Sequence, residues 1–156
     1  MPVSCQTPGV EAFVVAPAGF LLAVLWFDLM FDVQSRGTAV SPAAVQSISA
    51  YYRRVTTDAR PMNHLVSTAM VATLAAIVIE IGTGDVAAWI AGTSLALALP
   101  PMVLAGTRTV PRAVRQGAAT DSIDDQSTMA RTTRREHVFC FVSIATLIAM
   151  QLASAA

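Results

Sequence analysis

Lysine is absent from the 156-residue chain, and charged residues of both signs make up only 13% of it. A soluble domain usually carries about a quarter charged residues. Hydrophobic residues account for 54%, and the mean hydropathy is +0.59. This composition favours one integral membrane domain over a soluble protein. The formal net charge of zero gives no support for a nucleic-acid partner.

Recognisable catalytic motifs are also missing. The sequence has no G-x-S-x-G, Walker loop, HExxH, CxxCH or dinucleotide-binding fingerprint, so the common soluble-enzyme classes gain no support. The two cysteines, Cys5 and Cys140, form neither a CxxC pair nor a zinc spacing. The N-terminal segment lacks the basic region of a secretory signal peptide, so we expect the first apolar run to remain as a membrane anchor.

Long apolar runs dominate what is present. A transmembrane helix needs about 20 mostly apolar residues, and four stretches satisfy this: 12–33, 62–81, 86–107 and 137–155. The short turn 82–85 joins the second and third. The sequence therefore predicts an all-α fold, a single domain over residues 1–156. We expect an integral membrane four-helix antiparallel bundle with a short cytoplasmic interfacial helix.

All ten basic residues are arginines, and they lie between predicted spans one and two or between spans three and four. Cytoplasmic loops of membrane proteins are enriched in Lys and Arg. We therefore predict that loops 34–61 and 108–136 are cytoplasmic and that both termini lie outside the cell membrane. With Cys5 and Cys140 on opposite sides, no disulfide between them is expected. An Arg-only, Ala-rich composition suggests a bacterial source.

The predicted loops carry helix signals. Ser41 followed by Pro42 is typical of a helix start, and the apolar spacing behind it predicts a helix over 42–57. That helix either lies at the membrane interface or packs on the end of the bundle. Gly117 is predicted to end an extension of span three. Ser122 resembles a capping residue for a helix over 123–136 that runs into span four.

Ionisable residues within or beside the spans are candidate functional residues, because they are costly in lipid. Asp28 and Asp32 are four residues apart and so share one helix face. With the predicted orientation, all four spans bring polar groups to the cytoplasmic leaflet. The candidate cluster consists of Asp28, Asp32, His64, Arg108, Arg112 and His137, with Glu136 beside it.

Three interpretations of this cluster are open. The aspartates pair with Arg60, Arg108 or Arg112 in a structural role. Alternatively, Asp28 titrates in an apolar pocket, as part of a proton or substrate pathway. A metal or redox site would use His64, His137, Asp28 and Asp32. No metal site is predicted, because no Glu-x-x-His pair occurs, and the cofactor is left unknown.

The outer leaflet carries fewer polar groups. Glu80 is expected at a solvated helix end, within reach of a hydrogen bond from Gln151. Helices in lipid associate through small residues, and each span has a stripe of them at four-residue spacing. In the third span the stripe is Ala88, Gly92 and Ala96.

The second half resembles, in its layout, the small four-helix membrane family that includes anthrone-oxygenase-like proteins. The resemblance is carried by Thr109-Val110-Pro111-Arg112 after span three and by Arg134-Arg135-Glu136-His137 before span four. It covers about a third of the chain. It implies the four-helix architecture and makes His137 and Arg112 candidate site residues.

Three functions are compatible with these observations, and the sequence leaves open whether the protein is an enzyme. The first is a small-molecule-binding protein or an accessory subunit of a membrane complex. The second is a small membrane oxidoreductase acting on a hydrophobic substrate, and the third is a small transporter working as an oligomer. The expected partners are the lipid bilayer and, beyond it, other membrane subunits or a second copy of the chain.

Overall fold

The computed structural model describes residues 10–37, 39–84 and 86–155, without the side chains of Val10 and Arg60. The described residues form α-helices with short 3-10 and π-helical turns and contain no strand. The helices are α1 (Val10–Asp32), α2 (Pro42–Arg53), α3 (Arg60–Thr83), α4 (Ala88–Leu104), α5 (Val110–Ala118) and α6 (Ile123–Ser154). The all-α prediction is confirmed. Cys5 and Asp85 lie outside the described residues.

Four helical segments are long and apolar enough to cross a membrane. They are Glu11–Ser35, Pro61–Thr83, Ala88–Ala118 and Ile123–Ser154. Their number agrees with the four apolar runs of the sequence, although the third and fourth extend well beyond those runs. Four such helices indicate a multi-pass membrane protein.

The predicted helix signals act as expected. Ser41 caps α2 by accepting a hydrogen bond from the Ala44 amide at 3.2 Å, with Pro42 at the first helical position. Ser122 caps α6 by accepting from the Asp125 amide at 3.2 Å. From there α6 runs without a break for 32 residues. The polar segment and the fourth apolar run are therefore one helix.

The apolar core lies where α1, α3, α4 and α6 meet, and its members are small or aliphatic. Buried core residues include Ala18, Leu21, Ala76, Ile77, Ala98, Met102, Ile144 and Leu147. The prediction that the small-residue stripe of the third span packs against the other helices of this chain is wrong. Ala88, Gly92 and Ala96 are exposed, and Ala91, Ser94 and Ala98 are buried instead.

Helix α2 packs across one end of the long helices. Ile48 and Tyr52 form a second buried cluster with Ala113 of α5 and Ala130 of α6. Of the two alternatives for this segment, the structure therefore has the helix packed against the rest of the chain. The buried positions of α2, Val45, Ile48, Ser49 and Tyr52, recur at helical spacing.

The predicted role of Gly117 as a helix end is wrong. Helix α5 continues to Ala118, and Ala119 takes the left-handed conformation with φ of 52°. A Cβ atom on Gly117 would lie 2.7 Å from the backbone nitrogen of Arg53. Glycine is therefore required here because α5 and α2 approach with their backbones almost in contact.

Candidate functional site

The centre of the candidate site is a hydrogen-bonded group of three buried side chains from α1, α2 and α6. Asp32 is fully buried, and its Oδ2 lies 2.7 Å from Nδ1 of His137. Its other carboxylate oxygen accepts a hydrogen bond of 2.7 Å from the Tyr52 hydroxyl. With Asp32 ionised, the short histidine contact requires the proton on Nδ1. The imidazole is thereby fixed in orientation.

A second carboxylate extends this group. Asp28 lies one turn before Asp32, and its Oδ1 accepts a hydrogen bond of 2.7 Å from the Tyr51 hydroxyl. Its Oδ2 lies 3.8 Å from Nε2 of His137. The imidazole therefore lies between the two carboxylates, with one ring nitrogen facing each. The ring of Tyr51 also stacks on Phe31 at 4.0 Å between centroids.

The spacing of these residues along α1 and α2 explains why each aspartate bonds a different tyrosine. Aspartates four residues apart project from one face of α1 at different depths. Consecutive tyrosines on α2 point about 100° apart, since a helix has 3.6 residues per turn. Tyr51 thus reaches Asp28 while Tyr52 turns inward to Asp32. We call Asp28, Asp32, Tyr51, Tyr52 and His137 the Asp–Tyr–His cluster.

Both phenols are held in the neutral form. Burial raises the pKa of Tyr51, and the charge of Asp28 raises it further. Burial likewise raises the pKa of Tyr52 well above the ordinary value, with added contributions from Asp32 and Asp28. Protonated phenols act as hydrogen-bond donors to the two carboxylates. The cluster therefore keeps its donors across the neutral pH range.

Alkaline titration checks this arrangement directly, because the chain contains only two tyrosines. In the folded protein we expect no phenolate absorbance when the pH passes the ordinary tyrosine pKa of 10.0. The phenols contribute stability below that pH, and the contribution is lost as the pH rises toward their raised pKa. Phenolate should therefore form together with loss of helical circular dichroism. Ionisation of the tyrosines near pH 10 in a protein that is still fully helical would contradict the buried, hydrogen-bonded placement of the two phenols.

The predicted aspartate–arginine pairs are not those that form. Arg112 Nη1 lies 2.7 Å from Oε2 of Glu136, which also accepts a hydrogen bond of 2.8 Å from Thr109. The aspartates are paired with histidine and tyrosine instead. Arg108 and His64 are exposed and have no hydrogen bond or ion pair within the described part of the chain. The side chain of Arg60 lies outside it.

Of the six candidate residues, the structure therefore brings Asp28, Asp32 and His137 together. It pairs Arg112 with Glu136, the residue that precedes His137. Sequence reasoning missed Tyr51 and Tyr52, which it treated only as positions in the helix predicted over 42–57. The available signal was that both tyrosines of the chain are adjacent on the helix that follows the two aspartates. Among the described residues, no group of three His, Cys, Asp or Glu is arranged to hold a metal ion.

A cavity of about 800 Å³ opens beside the cluster. Asp28, Tyr51, Tyr52 and His137 contribute to its wall. The rest is mainly apolar, and most of it comes from α1, α3 and α4, including Phe27, Val66, Met70, Leu74, Leu99, Met102 and Val103. An apolar cavity with a few convergent polar groups is typical of a small-molecule site, and roughly 300 to 1,000 Å³ is the usual size.

Two π-helical turns border this cavity. Arg54–Asp58 follows α2 and contributes Val55 and Thr56 to the wall, and Ala105–Thr109 follows α4 and contributes Gly106 and Thr109. Single π-helical turns often occur at functional sites, because they displace side chains from the regular helical positions. Pro100 and Pro101 lie one turn before the second, and prolines remove backbone hydrogen bonds there.

A separate polar group lies at the other end of the long helices. Glu80 is fully buried, so the predicted solvated helix end is wrong. Gln151 donates hydrogen bonds of 3.0 Å to Glu80 Oε2 and to the Ser94 hydroxyl, which confirms the expected glutamine partner. The three side chains link α3, α4 and α6, which gives this group a structural role in joining those helices.

The fold and the cluster together define a multi-pass membrane protein with a buried acidic site beside an apolar cavity. The chain matches no known protein-family model, and searches of curated proteins and of solved structures found no match either. The resemblance to anthrone-oxygenase-like proteins is therefore an expectation from layout alone.

Proposed function

We propose that this protein binds a hydrophobic small molecule within the membrane, with the polar end of the ligand at the Asp–Tyr–His cluster. The observation that carries the proposal is the cavity of about 800 Å³, whose wall is mainly apolar and includes Asp28 and His137. Binding of this kind suits a ligand that partitions into lipid, because such a molecule reaches a wall of Val, Leu and Met side chains without crossing water. Such a binder can also work as an accessory subunit of a membrane complex.

The proposed architecture is an antiparallel four-helix bundle in the bacterial cell membrane, with both termini outside. The contacts of α2 with α5 and α6 support it, since they gather the two arginine-bearing loops at one end of the long helices. The Asp–Tyr–His cluster lies at that same end. Positively charged loops face the cytoplasm in most membrane proteins, so the ligand's polar end would lie in the cytoplasmic leaflet.

Filling the cavity tests the proposed binding. Ser67 lines the cavity and is exposed, so Ser67→Phe should block ligand entry while the protein still folds. Ala72 is an exposed residue of the same helix outside the cavity wall, and Ala72→Phe is the matched control. We expect ligand extracted with the purified protein, or an added naphthalene probe, to be retained by the control and lost from Ser67→Phe. Equal retention by both variants would contradict the proposal.

A membrane oxidoreductase acting on a hydrophobic substrate is the second candidate. It is favoured by the contact between Asp32 and Nδ1 of His137, which orients the imidazole with Nε2 toward Asp28, on the wall of the cavity. An imidazole held by a carboxylate is a suitable general base for removing a proton from a bound substrate. The test is whether His137→Gln abolishes substrate turnover while ligand binding persists.

A further inference from the structure

We propose that the ligand of this cavity is a lipophilic amine, a molecule with an apolar body and a protonated nitrogen that binds at Asp28. The inference rests on the proposed function, because it names the ligand class of the same cavity. Three features of the cavity support it: the charges that face it, the Asp28 oxygen that accepts no hydrogen bond, and the aromatic side chains around that residue.

The ionisable groups of the cavity wall give it a negative character. Apart from the two phenols, Asp28 and His137 are the ionisable side chains among the described residues that line it. With Asp32 behind them and both aspartates ionised, the three groups carry a net negative charge whether or not His137 is protonated. Among the described residues, Arg112 forms an ion pair with Glu136, and no arginine lines the cavity. A cationic ligand would therefore neutralise the site, and an anionic ligand would meet an uncompensated carboxylate.

Asp28 retains bonding capacity toward the cavity. Its Oδ1 accepts the Tyr51 hydroxyl at 2.7 Å, but Oδ2 is 3.8 Å from the His137 ring nitrogen, beyond hydrogen-bond distance. The Asp28 side chain is 15% exposed, whereas Asp32 is fully buried and its two oxygens are both engaged. A carboxylate oxygen in an apolar wall forms strong hydrogen bonds with an ammonium group.

Aromatic side chains complete the proposed site. Phe27, Tyr51 and Tyr52 all line the cavity near Asp28. The faces of aromatic rings attract cations, most strongly where water is excluded. Since both phenols remain neutral, they add no positive or negative charge of their own at neutral pH. Carboxylate and rings together favour an ammonium group over a neutral hydroxyl of the same size.

Three probes with one naphthalene body test the charge preference: 1-naphthylmethylamine, 1-naphthylmethanol and 1-naphthoate. Binding to the full chain in zwitterionic phosphatidylcholine nanodiscs is measured by calorimetry, with empty nanodiscs subtracted. We expect the amine to bind about tenfold or more tightly than the alcohol, as a charge-assisted hydrogen bond predicts, and the carboxylate to bind weakest. Asp28→Asn should remove the difference between amine and alcohol, and Asp58→Asn, at an exposed position, should preserve it.

The outcomes separate the two proposals. Equal binding of amine and alcohol, or preferred binding of the carboxylate, would overturn the amine proposal and leave the hydrophobic cavity standing. Failure of all three probes to bind the unaltered protein, with Ser67→Phe indistinguishable from it, would overturn both. The ranking of the three probes on the unaltered chain decides the question even where Asp28→Asn does not fold.

Discussion

Replacing Asp32 with alanine should lower the free energy of unfolding by about 3 to 5 kcal/mol, the usual cost of removing one partner from a buried charged pair. The carboxylate is fully buried and satisfies both the Tyr52 hydroxyl and Nδ1 of His137. Without it, two buried polar groups from two other helices lose their acceptor. The Tyr52 hydroxyl and the ring nitrogen are 3.5 Å apart, so they compensate each other only in part.

The measurement is reversible denaturant unfolding in a mild nonionic detergent, followed by helical circular dichroism. Asp58→Ala is the matched control, because Asp58 is exposed and has no hydrogen bond or ion pair within the described ranges. Its effect should stay within about 0.5 kcal/mol. The loss of unfolding free energy in Asp32→Asn should lie between those of Asp32→Ala and Asp58→Ala, since an amide oxygen still accepts a hydrogen bond from one neighbour. If Asp32→Ala matched the control, the cluster would have no part in holding α2 and α6 to α1.

The sequence alone predicted the elements of this fold that depend on local chemistry. Apolar runs of sufficient length identified four candidate spans, and Ser41 and Ser122 identified two helix starts. These features depend only on residues close together in the sequence. A capping hydroxyl accepts a hydrogen bond from an amide three positions away, and the hydropathy of a span is a sum over its own residues.

Partner choice within the site could not be predicted in the same way. Asp28 and Asp32 were identified as costly groups in an apolar helix, but their partners come from Tyr51, Tyr52 and His137 on other helices. Charge alone pointed to arginine, whereas Arg112 is engaged with Glu136. Which helix faces meet is decided by packing across the whole chain, and hydropathy carries no information on it.

The small residues likewise did not show which face of each span is buried. Alanine is so frequent that several faces of each span satisfy a small-residue pattern, and the face of α4 actually buried carries Ala91, Ser94 and Ala98. Gly117 was given a helix-ending role because glycine favours the left-handed conformation. In the structure Ala119 takes that conformation, and Gly117 is needed for a contact with α2 that no local pattern reveals.

That contact makes Gly117→Ala the second substitution with a large expected effect. The added Cβ would lie 2.7 Å from the backbone nitrogen of Arg53, 2.9 Å from its Cα and 3.0 Å from the carbonyl carbon of Tyr52. Backbone atoms cannot rotate away as the end of a flexible side chain can, so α2 must move from α5. Overpacking of this kind costs about 1 to 3 kcal/mol.

The matched control is Gly92→Ala in α4, where an added Cβ meets nothing within 4 Å. Both substitutions gain helix propensity, by roughly 1 kcal/mol, so the difference between their unfolding free energies isolates the steric cost. Because Tyr52 belongs to the displaced contact, Gly117→Ala should also let a phenol ionise at lower pH than in the unaltered protein, and Gly92→Ala should not. Two variants with equal stability and equal tyrosine titration would show that the position of α2, and with it the geometry of the Asp–Tyr–His cluster, does not depend on this close approach.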